Sequence, residues 1–142
     1  MLYLSGIGRI KIFMNKKYIS FFYFLLSLLI IGCFGNRVPA IKFDGQNYKF
    51  GNIKEGKNVV FTFMFLNTGN ADLMIEELYV SCYCVIVKEY DKVIKPGEKG
   101  KIYGYIDTKG FQGDVVKVIK VTTNIPDAEP AILTLEGKII PG

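Results

Sequence analysis

Val59-Val60-Phe61-Thr62-Phe63-Met64-Phe65-Leu66 carries the clearest strand signal in the chain. Side chains of an extended strand alternate between faces, so Phe61, Phe63 and Phe65 share one face and Thr62 and Met64 the other. A face of phenyl rings marks a buried core between two sheets, and that reading is adopted over a ligand-lining stripe. Met64, on the far face, is read as a packing residue.

Runs rich in Val, Ile, Phe, Tyr and Thr recur at 41–43, 48–53, 57–66, 73–80, 83–88, 101–106, 115–123 and 131–139. Between them stand Asp44-Gly45, Asn67-Thr68-Gly69-Asn70, Pro96-Gly97, Gln112-Gly113 and Asn124-Ile125-Pro126-Asp127, all turn chemistry. Lys95-Pro96-Gly97-Glu98 predicts a type II turn, and Gly69 predicts a positive φ. Leu73 and Ile75, extended by alternation to Glu77, predict one strand face against Met74 and Glu76. No segment after Cys33 holds a helical period, so the domain is all-β, a sandwich or a barrel.

The N-terminal part follows a different logic. Lys16-Lys17 precede an uncharged apolar run, Tyr18 to Gly32, that ends at Ile30-Ile31-Gly32-Cys33. A basic segment, an apolar segment and a small residue before cysteine is the order of a lipoprotein export signal. The expected organisation is a signal peptide over 1–32, with Met14 as the true start; then a lipidated Cys33 and tether over 33–40; then the domain over 41–142. An uncleaved transmembrane anchor is the alternative, because the uncharged stretch extends from Tyr18 through Asn36. In both cases Arg9, Lys11, Lys16 and Lys17 hold the N-terminal side in the cytoplasm. The domain is then on the non-cytoplasmic side of the cell envelope, periplasmic or at the cell surface.

Removing that segment changes the charge. Of 18 basic residues 4 precede Cys33, while all 13 acids follow it, so the mature chain carries 14 − 13 = +1. Such a domain lacks the clustered cations that phosphate backbones require, and no nucleic-acid partner is expected. The chain has no histidine, which removes Ser-His-Asp and Cys-His catalysis. Neither a Walker loop nor a dinucleotide fingerprint is present.

Phe50-Gly51, Gly56, the Phe61–Phe65 strand, Asn67-Thr68-Gly69 and Leu73-Met74-Ile75 together resemble a bacterial family, domain of unknown function 1573. The resemblance continues through Ile94-Lys95-Pro96-Gly97-Glu98, Asp107-Thr108-Lys109-Gly110, Gly113, Thr123-Asn124 and Leu135-Glu136-Gly137. Its most specific element is Ser81-Cys82-Tyr83-Cys84, where the family usually carries Ser-Cys-Gly-Cys. The resemblance implies an exported or lipid-anchored immunoglobulin-like antiparallel β-sandwich of about seven to eight strands, preceded here by the apolar N-terminal signal helix. The implied fold is distantly akin to PapD-like and major-sperm-protein-like domains. No activity, and therefore no catalytic residue, comes with it.

With Cys33 lipidated, Cys82 and Cys84 are the remaining cysteines. On a strand both thiols point the same way, and extended i, i+2 positions are too far apart for a disulfide without a bend. The readings are two buried free thiols, a reducible local disulfide, a soft-metal site such as one for Cu(I), and inter-chain disulfides. No cofactor is expected beyond the covalent diacylglycerol and acyl lipid at Cys33. The functional expectation is a membrane-anchored, non-enzymatic protein-binding or structural envelope module, its partner an envelope protein and its contact a face, a loop end or strand addition at an edge. The alternative is thiol redox or copper handling through Cys82 and Cys84.

Overall fold

The computed structural model describes residues 35–142, and every regular element among them is a strand. The signal segment, Met14 and Cys33 lie outside the described residues. Nine strands follow in order: β1 (Ile41–Phe43), β2 (Asn47–Lys54), β3 (Asn58–Asn67), β4 (Leu73–Val80), β5 (Val85–Tyr90), β6 (Val93–Ile94), β7 (Lys99–Asp107), β8 (Gly113–Thr123) and β9 (Ala131–Ile140).

They form a four-stranded sheet, β1-β3-β7-β5, and a five-stranded sheet, β2-β9-β8-β4-β6. The first has the A-B-E-D order and the second contains the G-F-C order of an immunoglobulin-type sandwich. The first strand of the fold is shared between them. Asp44 N–H still donates to Met64 C=O of β3 (3.0 Å), whereas Gln46 C=O already accepts from Thr134 N–H of β9 (2.7 Å). That switch makes β2 run parallel to β9, in a sandwich expected to be antiparallel throughout. The expected strand count falls one short because β6 is two residues long and defined only by its pairing with Leu73 and Met74.

The phenylalanine face is the core. Phe61, Phe63 and Phe65 are buried, with Leu73, Ile75, Ile94, Ile102, Ile106, Ile119, Leu133 and Leu135 packed into the same cluster. Room for the rings comes from the neighbouring strand: Phe61 faces Gly104 and Phe65 faces Gly100 across β3–β7. A Cβ at either glycine would collide with the opposing phenyl ring.

Three local expectations are corrected. On β4 a bulge between Ile75 and Glu77 shifts the inward set to Leu78 and Val80, leaving Glu77 exposed. Gly69 does not have a positive φ. It is glycine because the Val38–Ala40 backbone passes against it where a Cβ would stand. Val38–Ala40, assigned to the tether, is hydrogen-bonded to the β3–β4 turn through Thr68 N–H to Ala40 C=O (2.9 Å) and Asn70 N–H to Val38 C=O (3.0 Å). The type II turn forms as read, with Gly97 at φ 78° and Glu98 N–H bonded to Lys95 C=O at 3.0 Å.

Candidate functional site

The chain comes into the domain beside the β3–β4 turn, and β3 then runs the length of the sandwich. Its ten residues at about 3.3 Å each separate that end from the opposite one by roughly 33 Å. The opposite end gathers the β2–β3 turn, the β4–β5 turn carrying both cysteines, and the β7–β8 loop.

The β4–β5 turn differs from the strand expected there. Strand β5 begins only at Val85, and residues 81–84 bend. Val85 N–H donates to Cys82 C=O (3.1 Å), which closes a β-turn around Tyr83 and Cys84. The bend places the Cys82 and Cys84 Cα atoms 5.2 Å apart, and their sulfurs are joined. That separation lies inside the usual disulfide range. The disulfide judged awkward for an extended strand is therefore formed, because the backbone there is a turn. In this state neither sulfur is a free thiol or a thiolate ligand.

The turn is fixed on both sides by bonds that do not involve sulfur. Ser81 N–H donates to Val118 C=O (2.9 Å), and Val118 N–H returns to Ser81 Oγ (2.9 Å). On the other flank Asp107 N–H donates to Cys84 C=O (2.8 Å). Cys84 is buried at 8 % exposure while Tyr83, between the two cysteines, is fully exposed at 102 %. Cys84 N–H also donates to Cys82 Sγ (3.2 Å).

Beside this turn lies an open concavity of about 610 Å³ whose walls include both cysteines, Ile86, Asp107, Lys109, Phe111 and Lys117. Lys117 Nζ stands over the Phe111 ring, 5.1 Å from its centroid. The loop that carries Phe111 is tied to the β2–β3 turn by Glu55, which accepts from Gly110 N–H (3.0 Å) and from Gln112 Nε2 (2.9 Å). The Gln112 and Gly110 hydrogen bonds hold the Glu55 carboxyl below the usual carboxylate range. In the sequence Gln112-Gly113 is legible only as a turn, and nothing there marks Phe111 or Lys117. The signal that could have drawn attention to this loop is its place in the family pattern, directly after Asp107-Thr108-Lys109.

Glu76 and Glu77 form no acid/base pair here; both are exposed at the β4 bulge. Among the described residues no cluster of three or more His, Cys, Asp or Glu side chains is placed to hold a metal ion. A family model described as "Protein of unknown function (DUF1573)" matches residues 41–139. The chain belongs to the DUF1573 family. The resemblance read from Ser81-Cys82-Tyr83-Cys84 and its flanking motifs is thereby confirmed. No curated relative matches the chain.

Solved structures share the DUF1573 chain's fold at low identity. A protein of unknown function from Porphyromonas gingivalis W83 superposes with a TM-score of 0.63 at 14% identity, over 75% of this chain and 50% of that one. The VesB protease of Vibrio cholerae gives 0.60 at 13% identity, over 84% of this chain and 35% of the protease. The ASH/PapD-like domain 7 of human CEP192 gives 0.57 at 11% identity, over 78% of this chain and 92% of that domain. This DUF1573 chain therefore spans half of the first protein and about a third of the second. The likeness is one of fold alone, and it agrees with the immunoglobulin-like sandwich; one of the three is a PapD-like domain.

Proposed function

We propose that this protein is an exported, membrane-tethered lipoprotein that binds another envelope protein, without catalysis, through the tip around Tyr83. The observation that carries this reading is a fully exposed tyrosine fixed between two bonded cysteines. A rigid aromatic side chain loses little conformational freedom on binding, and such residues dominate interface energies. Ile86 and Phe111 add apolar surface beside it. The partner is an exported protein with a pocket that admits the tyrosine ring.

The lipid reading rests on the Ile30-Ile31-Gly32-Cys33 sequence and gives the tip its orientation. With Val38–Ala40 held by the domain and the Asn36 carbonyl accepting from Asn70 Nδ2 (3.5 Å), only Phe34 and Gly35 separate Cys33 from the sandwich. Two residues extend about 7 Å. The chain thus joins the sandwich at the membrane-proximal end and Tyr83 occupies the distal one.

Strand addition is the second reading. It is favoured by a groove of about 440 Å³ between β4 and β5, lined by Leu78, Val80, Val85 and Val87. Since Ser81 N–H faces β8, alternation turns the main-chain groups of Val80 and Leu78 toward this open side. It ranks second because each edge is guarded. Bulges interrupt β2, β4 and β5, and β1 is three residues long.

The test is a photoreactive phenylalanine analogue at position 83, compared with one at Met74, in cells making the full chain. A discrete envelope protein crosslinked from position 83 only, whose purified form binds Tyr83→Ala at least about tenfold more weakly than wild type, supports the tip. Equal crosslinking from both positions, or unchanged affinity of Tyr83→Ala, overturns it.

A further inference from the structure

We infer that Cys82–Cys84 is a thiol–disulfide exchange site, Cys82 carrying the mixed disulfide and Cys84 resolving it, with cysteine pairs of exported proteins as substrates. The protein substrate rests on the tip reading above; the sulfur chemistry does not.

Four observations converge on the pair. First, the two sulfurs differ in access: Cys84 is buried with Val85 while Cys82 is half-buried, and both border the open concavity. An incoming thiolate reaches Cys82 more easily. Second, Cys84 N–H donates to Cys82 Sγ (3.2 Å), a contact that favours the thiolate when the bond opens. Third, the charged groups around the concavity are Lys109 and Lys117 against Asp107, a balance that favours an anionic sulfur. Fourth, the Ser81–Val118, Cys82–Val85 and Cys84–Asp107 hydrogen bonds hold the turn independently of sulfur. A disulfide closing so short a loop also removes the least chain entropy, so anchoring the fold is its weakest use.

A partner thiol loses its proton to water, and its thiolate attacks Cys82 Sγ. The Cys82–Cys84 bond breaks, a partner–Cys82 disulfide forms, and Cys84 leaves with the electron pair and is protonated. A second thiol of the same partner, again as thiolate, attacks the partner sulfur bonded to Cys82. Cys82 leaves and is protonated. Two electrons and two protons have passed from the partner dithiol to Cys82 and Cys84, and the partner holds a disulfide. In the reverse direction Cys82 thiolate attacks a partner disulfide and Cys84 resolves the adduct, which restores the observed state. One Cys82–Cys84 pair serves one partner molecule, so the protein acts as a stoichiometric redox partner and not as a catalyst.

The test uses the full chain in detergent micelles, pre-reduced and mixed with glutathione disulfide as the probe, then alkylated and weighed intact. Cys84→Ser should take up one glutathionyl group, mapped to Cys82, about tenfold or more faster than Cys82→Ser takes one up on Cys84. Wild type should return to the internal disulfide and release reduced glutathione. Equal rates in the two variants, or wild type ending as a stable glutathione adduct, would overturn the assignment. So would loss of the near-ultraviolet circular dichroism of wild type on reduction, since the bond would then be a structural clasp. The two proposals fail separately: partner affinity of Tyr83→Ala tests the tip, whereas the difference in glutathione uptake between Cys84→Ser and Cys82→Ser tests the sulfur chemistry without any partner protein.

Discussion

Asn67 holds together the end at which the chain joins the sandwich. Its side chain is fully buried, and Nδ2 donates to Ala71 C=O (2.8 Å) and Ile94 C=O (2.9 Å). Oδ1 accepts from Gly69 N–H (2.9 Å) and Ala40 N–H (3.4 Å). Stranding buried groups costs about 1–3 kcal/mol each, so Asn67→Ala should lose about 3 kcal/mol in urea unfolding, with Asn70→Ala, at an exposed position, losing far less. Asn67 was legible in the sequence as a turn residue only, because two of its partners, Ala40 and Ile94, are 27 positions away. Cys82 and Cys84 present the opposite case: they were legible as a pair, and only the turn geometry decided their state. A bridge over a loop this short should contribute at most about 2 kcal/mol. Cys82→Ser/Cys84→Ser should therefore keep the native fold and shift the urea midpoint only modestly.

Among the elements, alternation located the long strands well because burial of one face enforces a two-residue period. Strand β3 is the clearest case: Val59, Phe61, Phe63 and Phe65 are all buried, as the sequence pattern requires. Where pairing rather than burial sets the structure, the pattern carried no signal. The β4 bulge at Ile75/Glu77 and the two-residue β6 are set by neighbours distant in sequence. The β3–β7 interface gives a sharp prediction. Gly104 leaves space for Phe61 and for the Ile86 carbonyl of β5, so Gly104→Ala should destabilise by about 1–3 kcal/mol in urea unfolding. At the tip, Glu55 links two loops with a lowered pKa. A carboxyl whose folded pKa is depressed stabilises above its unfolded pKa and loses that contribution as pH falls through the folded value. The Gly110 amide resonance should therefore titrate below the ordinary carboxylate range, and Glu55→Gln should abolish that titration.

At the scale of the whole molecule, one crossover sets the polarity on which the functional reading depends. The first strand begins on β3 and ends on β9, so the chain joins the domain at the end bearing Asn67 and Gly69. Every later hairpin then places the β4–β5 turn at the other end, with the β2–β3 turn and the β7–β8 loop. If Cys33 carries lipid, the short link holds the Asn67 end near the headgroups and leaves Tyr83 about 33 Å farther out. The prediction is directional. With the lipidated full chain in nanodiscs containing headgroup spin-labelled lipid, the amide signals of Asn36 and Asn70 should broaden strongly. Those of Tyr83 and Gly110 should not. Cys33→Ser, if it abolishes lipidation, should remove the Asn36 and Asn70 broadening; persistence would mean the apolar segment itself remains as the anchor. Broadening at Tyr83 equal to that at Asn70 would mean that the sandwich lies flat on the bilayer. The tip could then not reach an envelope partner in the way its exposure and rigidity suit it to do.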